Sequence, residues 1–103
     1  MVLTYKIIYT DEVLEDIDEI ISYILNVAWH RSANKWARKF FERTEALAVF
    51  PEGNPRYKYD EICRVTKVGR YSIIYEVDKE KLMVIILRIV YSKRDLRKVK
   101  TGK

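Results

Sequence analysis

The chain of 103 residues holds one cysteine, one histidine, two prolines and three glycines. Cys63 alone cannot close an internal disulfide, and one Cys with one His (His30) cannot build a zinc site. A reducing, cytoplasmic setting is the expectation. The longest apolar run, Leu82 to Leu87, is far short of the roughly 20 residues that span a bilayer. The opening "MVLTYKIIYTDEV" has no long apolar segment with a cleavage site, so neither a signal peptide nor a membrane partner is expected. Glycine-rich phosphate loops, Cys-x-x-Cys, Gly-x-Ser-x-Gly and His-Glu-x-x-His are also missing. Their absence excludes most small-molecule enzymes and leaves no metal or cofactor to expect. With few breakers and no repeat, the chain reads as a single domain over 1–103, with 97–103 as a flexible basic tail.

What is present is core material and unevenly placed charge. Apolar residues make up 49% of the chain, and eight Tyr, three Phe and two Trp supply bulk, which suits a globular fold rather than disorder. The net charge is +5. Residues 1–50 carry six Lys/Arg against eight Asp/Glu, whereas residues 51–103 carry fourteen against seven. Basic character therefore belongs to the second half, and it peaks in "LRIVYSKRDLRKVK", where a buried strand runs out into a cationic end. Such a cluster suits a phosphate backbone or an acidic partner; a merely solvated tail is the plain alternative.

Residues 2–9 alternate, with Leu3, Tyr5, Ile7 and Tyr9 on one side, and predict a strand. Thr10 is placed to cap a helix whose apolar positions are Val13, Leu14, Ile17, Ile20, Ile21, Ile24 and Leu25, with acids concentrated at its start. After the connection "NVAWH", a second helix is predicted over Ser32 to Val49, antiparallel to the first. Pro51, Gly53 and Pro55 end the helical half. Three strands follow, Ile62 to Val68, Tyr71 to Val77 and Leu82 to Tyr91, joined by turns short enough to make them antiparallel. The third is apolar on both faces and is placed inside the sheet. The fold class is α+β: an N-terminal strand, a helix hairpin, and a three-stranded antiparallel meander completing a four-stranded sheet.

Several residues ask for explanation. Glu15, Asp18 and Glu19 share a helix face, as a solvated acidic face or as a paired-carboxylate site. His30 sits in a predicted loop, as a surface residue or a proton carrier. Arg64 and Thr66 point one way, and Arg70 and Ser72 are likewise two apart. Arg88 interrupts an apolar strand. It either pairs with an acid, Glu76 or Asp60, or lines a basic concave face with Arg64, Arg70, Lys93 and Arg94. Tyr91 is an ordinary strand aromatic, a stacking platform, or a phenolic acid/base beside arginines. Cleaving RNA through its own 2′-hydroxyl needs only a base, an acid and cations to stabilise the phosphorane, and Tyr, Lys and Arg supply these without metal.

The chain as a whole resembles the RelE/ParE superfamily of toxins from type II toxin-antitoxin systems. "YKIIYTDEVLEDIDEIISYI" resembles the opening strand and helix, "FFERTEALAVFPEG" the second helix ending in Phe-Pro, and "RVTKVGRYSIIYEVDKEKLMVIILRIVYSKRD" the three closing strands. The resemblance covers about residues 4–96. It implies a small α+β toxin, neutralised by a cognate antitoxin in a hetero-oligomer. Two acts occur in the superfamily: cutting messenger RNA in the ribosomal A site, and poisoning DNA gyrase.

Carried over by position, Arg64, Arg88 and Arg94 match recurrent basic positions, and Lys93 with Arg94 resembles the Lys-Arg pair of RelE-like nucleases. Tyr91 falls where one nuclease subgroup keeps a Tyr. Ser72, however, stands where many members have Arg, Val90 where that subgroup has His, and no Tyr lies near Lys100. Arg70 is the candidate substitute for the Arg missing at Ser72. The resemblance implies, first, a metal-independent mRNA endonuclease with Arg64, Tyr91, Lys93 and Arg94 as catalytic residues. Arg70, Arg88, Arg97 and Lys98 would contact RNA on the ribosome. The second implied function is a non-enzymatic gyrase inhibitor, and the third a degraded member that only binds antitoxin and a promoter complex.

Overall fold

The computed structural model describes residues 4–28 and 30–92, so Lys93, Arg94, Arg97 and Lys98 lie outside the described residues. Strand β1 (Lys6–Tyr9) leads into helix α1 (Asp11–Val27), and helix α2 (His30–Ala46) follows. A single 3-10 turn (Pro51–Gly53) then precedes strands β2 (Arg56–Tyr57), β3 (Asp60–Val68), β4 (Tyr71–Asp78) and β5 (Met83–Tyr91). The strands form one sheet in the order β1-β5-β4-β3-β2. β1 lies parallel to β5, and the other neighbours are antiparallel.

The α+β class and the order of elements agree with the sequence, while the strand count is five instead of four. The extra strand is β2, two residues that pair with β3 through Arg56↔Arg64 and Tyr57↔Asp60. A pair that short behind Pro55 carries no alternation, so periodicity cannot reveal it. Boundaries shift as well. α2 begins at His30, which is therefore helical and not in a loop, and ends at Ala46 rather than Val49. β1 begins at Lys6, although the Tyr5 amide still donates to the Ala48 carbonyl at 2.8 Å.

Local chemistry accounts for α1. Thr10 is extended at φ −72°, ψ 160°, and its Oγ1 accepts from the Val13 amide at 3.1 Å, capping the helix. Val13, Ile17 and Ile24 are buried, with Ile20 and Ile21 packed at the margin, the stripe expected of 3.6-residue periodicity. α2 buries Ala33, Phe40 and Thr44. Thr44 Oγ1 gives its proton to the Phe41 carbonyl at 3.1 Å and so accepts from the Tyr9 hydroxyl at 2.7 Å, fastening α2 to β1. Both helices cover one face of the sheet, where Ile73, Tyr75, Val84, Ile86 and Ile89 complete the main core. A second apolar cluster on the other face joins Tyr57, Cys63, Ile74, Leu87 and Val90.

β5 carries an irregularity that sets the positions of later residues. Ile74 pairs with Arg88 and Tyr75 with Ile86, so Leu87 has no partner on β4. Such a bulge re-aims the side chains around it. Thr10 Oγ1 donates toward the Ile86 and Leu87 carbonyls (2.9 and 3.1 Å), and Asp16 Oδ2 accepts the Ile89 amide at 3.0 Å. The start of α1 thus satisfies backbone groups of β5 beyond the point where β1 ends, groups that would be costly to leave unpaired.

At the other end of the sheet, the fully buried Tyr75 hydroxyl donates to the Pro51 carbonyl at 2.5 Å and accepts from Asn54 Nδ2 at 3.1 Å. Burial raises its pKa, with the Asn54 bond and the Arg64 charge partly opposing. Tyr75→Phe leaves the buried Pro51 carbonyl and the half-buried Asn54 amide without this partner and is expected to cost about 1–2 kcal/mol, roughly 4–8 °C in Tm for each kcal/mol. Because the folded pKa is the higher one, the stabilisation from Tyr75 is complete below about pH 10 and is lost as pH rises through the folded value. Thermal melts between pH 7 and 11 should therefore show a steeper alkaline decline for the parent than for Tyr75→Phe, and parallel curves would refute this assignment.

Candidate functional site

The β3–β4 turn decides where the first candidate residue goes. Gly69 has φ +56°, and a Cβ there would sit 2.5 Å from the Trp36 ring. Both the left-handed backbone and the close ring demand glycine. The turn presents Arg70, whose carbonyl accepts the Ser92 amide at 2.7 Å, locking the turn to the end of β5. Arg70, Tyr71 and Tyr91 line one wall of a cleft of about 520 Å³, and Glu19, Ile20 and Tyr23 of α1 line the other.

The floor is aromatic and fixed. Tyr71 meets Trp36 and Phe40 edge-on, each at 5.3 Å between centroids, and Tyr91 at 6.0 Å, separations at which tilted aromatic pairs attract. Burial pushes the Tyr71 phenol above its ordinary pKa; Tyr23 and Tyr91 add to this and Arg70 opposes it. Tyr71 is thus held protonated, as a hydrogen-bonding wall. Tyr23 and Tyr91 remain exposed at the rim. The cleft can grip a planar or apolar group and pair one anionic group with Arg70.

The described arginines do not share this site. Arg64 pairs across β3–β4 with Tyr75, while Tyr91 pairs with Tyr71. The two are therefore separated by roughly 13 Å along the strands and about 10 Å across the sheet. Arg64 donates to the Asn54 carbonyl at 2.7 Å and lies 3.9 Å from Glu52, which also pairs with Lys79 at 3.0 Å. Its guanidinium pins the segment after the 3-10 turn. Arg88 is held by an acid, but the acid is Asp16 of α1, where the strand pattern suggested Glu76 or Asp60. The pair is bidentate, Nε to Oδ2 at 2.6 Å and Nη2 to Oδ1 at 2.9 Å, and it raises the arginine pKa further. A common basic face of Arg64, Arg70 and Arg88 is not what these positions form.

Arg70 and Ser72 also part company. Ser72 is buried, pairs with Val90 and hydrogen-bonds Ser92 Oγ at 2.9 Å. It lies on the sheet face that carries Ile74, whereas Arg70 belongs to the turn and joins the α1 side. Sequence reasoning missed Glu19, Ile20 and Tyr23 as the opposing wall, and Asp16 as the partner of Arg88. Asp16 had a signal: it falls within the apolar stripe of α1, three residues after Val13 and four before Ile20. Among the described residues no three His, Cys, Asp or Glu side chains gather as a metal site, and no helix is long and apolar enough to cross a membrane.

The fold is thus a small α+β one, with its helix hairpin laid over a sheet and a cleft at one end. The chain belongs to the ParE toxin family of type II toxin-antitoxin systems, whose family model, described for the parDE system, matches residues 7–96. No curated protein matches it in sequence. Its fold is similar to that of the chromosomal ParDE toxin-antitoxin system from P. aeruginosa, with a TM-score of 0.76 and 19% identity over 87% of this chain and 98% of that one. It is also similar to a chain of the RelBE2 toxin-antitoxin complex from Mycobacterium tuberculosis (TM-score 0.57, 18% identity, 86% and 92% covered). The isolated E. coli RelE toxin gives a TM-score of 0.53 at 15% identity, with 88% and 87% covered.

Proposed function

We propose that this toxin acts as a binder that poisons DNA gyrase, not as an RNA-cleaving enzyme, and that a cognate antitoxin neutralises it. The observation that carries the reading is the dispersal of the described candidate groups. Arg64 holds the 3-10 turn, Arg88 is taken by Asp16, and among the described candidates only Arg70 accompanies Tyr91. A phosphoryl-transfer site needs its acid, base and cations around one atom. An aromatic cleft with a single arginine at its rim instead has the composition of a protein-binding hot spot. Membership in the ParE toxin family supports the same choice, since the superfamily's gyrase poisons are its ParE-like members.

Purified chain added to gyrase and relaxed plasmid should block supercoiling and, on protein digestion, release linear DNA. In cells, induction should arrest growth without new 5′ ends in translated messages. Frame-confined cuts lost in Arg94→Ala would overturn the proposal in favour of the mRNA endonuclease expected first from the sequence. The antitoxin part is tested by co-expression with a small upstream partner, which should restore growth and co-purify.

A further inference from the structure

The first half of the chain is acidic in sum, yet the fold separates its charges. All six acids between Asp11 and Glu19 lie in α1, which has no Lys or Arg, whereas α2 carries Arg31, Lys35, Arg38, Lys39 and Arg43. At 100° per residue, Arg31, Asn34, Lys35 and Arg38 share one face, opposite the buried Ala33, Phe40 and Thr44. These four residues are exposed and line a shallow hollow of about 630 Å³. Among the described residues none of the three cations enters an ion pair. Their stripe points away from the sheet and shares no residue with the Arg70–Tyr91 cleft.

We infer that the outer face of α2 is a docking surface for the phosphodiester backbone of duplex DNA. Arg31 to Arg38 spans seven residues, roughly 10 Å of helix, a straight row of three cations on a rigid element. Duplex DNA offers the matching partner, a stiff line with one negative charge per about 1.7 Å of axis and a major groove that admits a helix. The composition of the stripe selects against other anions. Its four residues include no aromatic ring, so unpaired bases of single-stranded RNA find only the guanidinium planes of Arg31 and Arg38 to stack on. It has no apolar anchor either, so an acidic protein would lack the desolvated centre on which affinity at protein interfaces rests. The inference does not depend on which target the cleft engages.

The test is fluorescence anisotropy of the purified full chain with a labelled 20-bp DNA duplex from 50 to 200 mM salt, beside a single-stranded RNA of equal length. Arg31→Gln/Lys35→Gln/Arg38→Gln is compared with a variant neutralised at Lys93, Arg94, Arg97 and Lys98, since that cationic end also attracts polyanions. Three lost phosphate contacts should lower the slope of log K against log salt by about 2.7, so the parent should lose about 40-fold more affinity across this range than the triple variant. Arg31→Lys/Arg38→Lys should keep the parent slope, and circular dichroism should show all variants folded, the positions being exposed. An unchanged slope in the triple variant, no binding at all, or tighter binding of the RNA strand would each overturn the proposal.

Discussion

Replacing Asp16 with alanine should cost about 3 kcal/mol of folding stability, the lower end of the penalty for breaking one side of a buried ion pair, because this pair is partly buried. The carboxylate serves two partners at once. It holds the Arg88 guanidinium by both oxygens, and it accepts the Ile89 amide at the β5 bulge. Its removal takes the bidentate carboxylate from a guanidinium whose side chain is 21% exposed and leaves a buried backbone donor unpaired. Against a total of 5–15 kcal/mol for an ordinary domain, that loss is decisive.

Arg88→Met is the milder change, because Asp16 keeps the Ile89 amide as a partner. Asp16→Ala/Arg88→Met should recover part of the loss, as the guanidinium deprived of its carboxylate is gone while the Ile89 amide remains unpaired. Urea unfolding of the four proteins gives the coupling directly. A loss below 1 kcal/mol in Asp16→Ala would mean that Asp16 is not what holds the arginine.

Arg70→Glu should abolish toxicity in a protein that still folds. Arg70 is exposed in a turn whose geometry is fixed by Gly69 and by its own carbonyl, so reversing the side-chain charge leaves the scaffold intact. Truncating a hot-spot arginine or aromatic at an interface typically costs 2–4 kcal/mol, about 30- to 1000-fold in affinity, and charge reversal should lie at the upper end. Titration of gyrase supercoiling reads this directly. Tyr91 separates the mechanisms. If the ring packs against a partner, Tyr91→Phe keeps most of the potency and Tyr91→Ala loses it. If the hydroxyl moves a proton, both are inactive, and the binding mechanism fails.

The fold was largely legible because its signals are local. Thr10 before an acid-rich, 3.6-periodic segment marks α1, and β-branched runs between short turns mark β3, β4 and β5. The site was less legible because it depends on two departures from alternation. Arg70 belongs to a turn, so counting it two residues from Ser72 put it on the wrong face. The bulge at Leu87 changes the phase of β5, and which helix meets Arg88 is a matter of tertiary packing. The charge on α2 was hidden differently: summing residues 1–50 cancelled two helices that the hairpin keeps distinct.

The parallel pairing of β1 with β5 ties Lys6 to Met83 and Tyr9 to Ile86. Contacts so far apart in sequence form late, since closing the intervening loop must precede any reward. On the ribosome, β1 waits for β5, and until residues 83–91 emerge the helix hairpin has only a partial sheet to cover. The wall made by Tyr91 is among the final pieces placed. The cleft bounded by Tyr91 therefore exists only once the two strands most distant in sequence have paired.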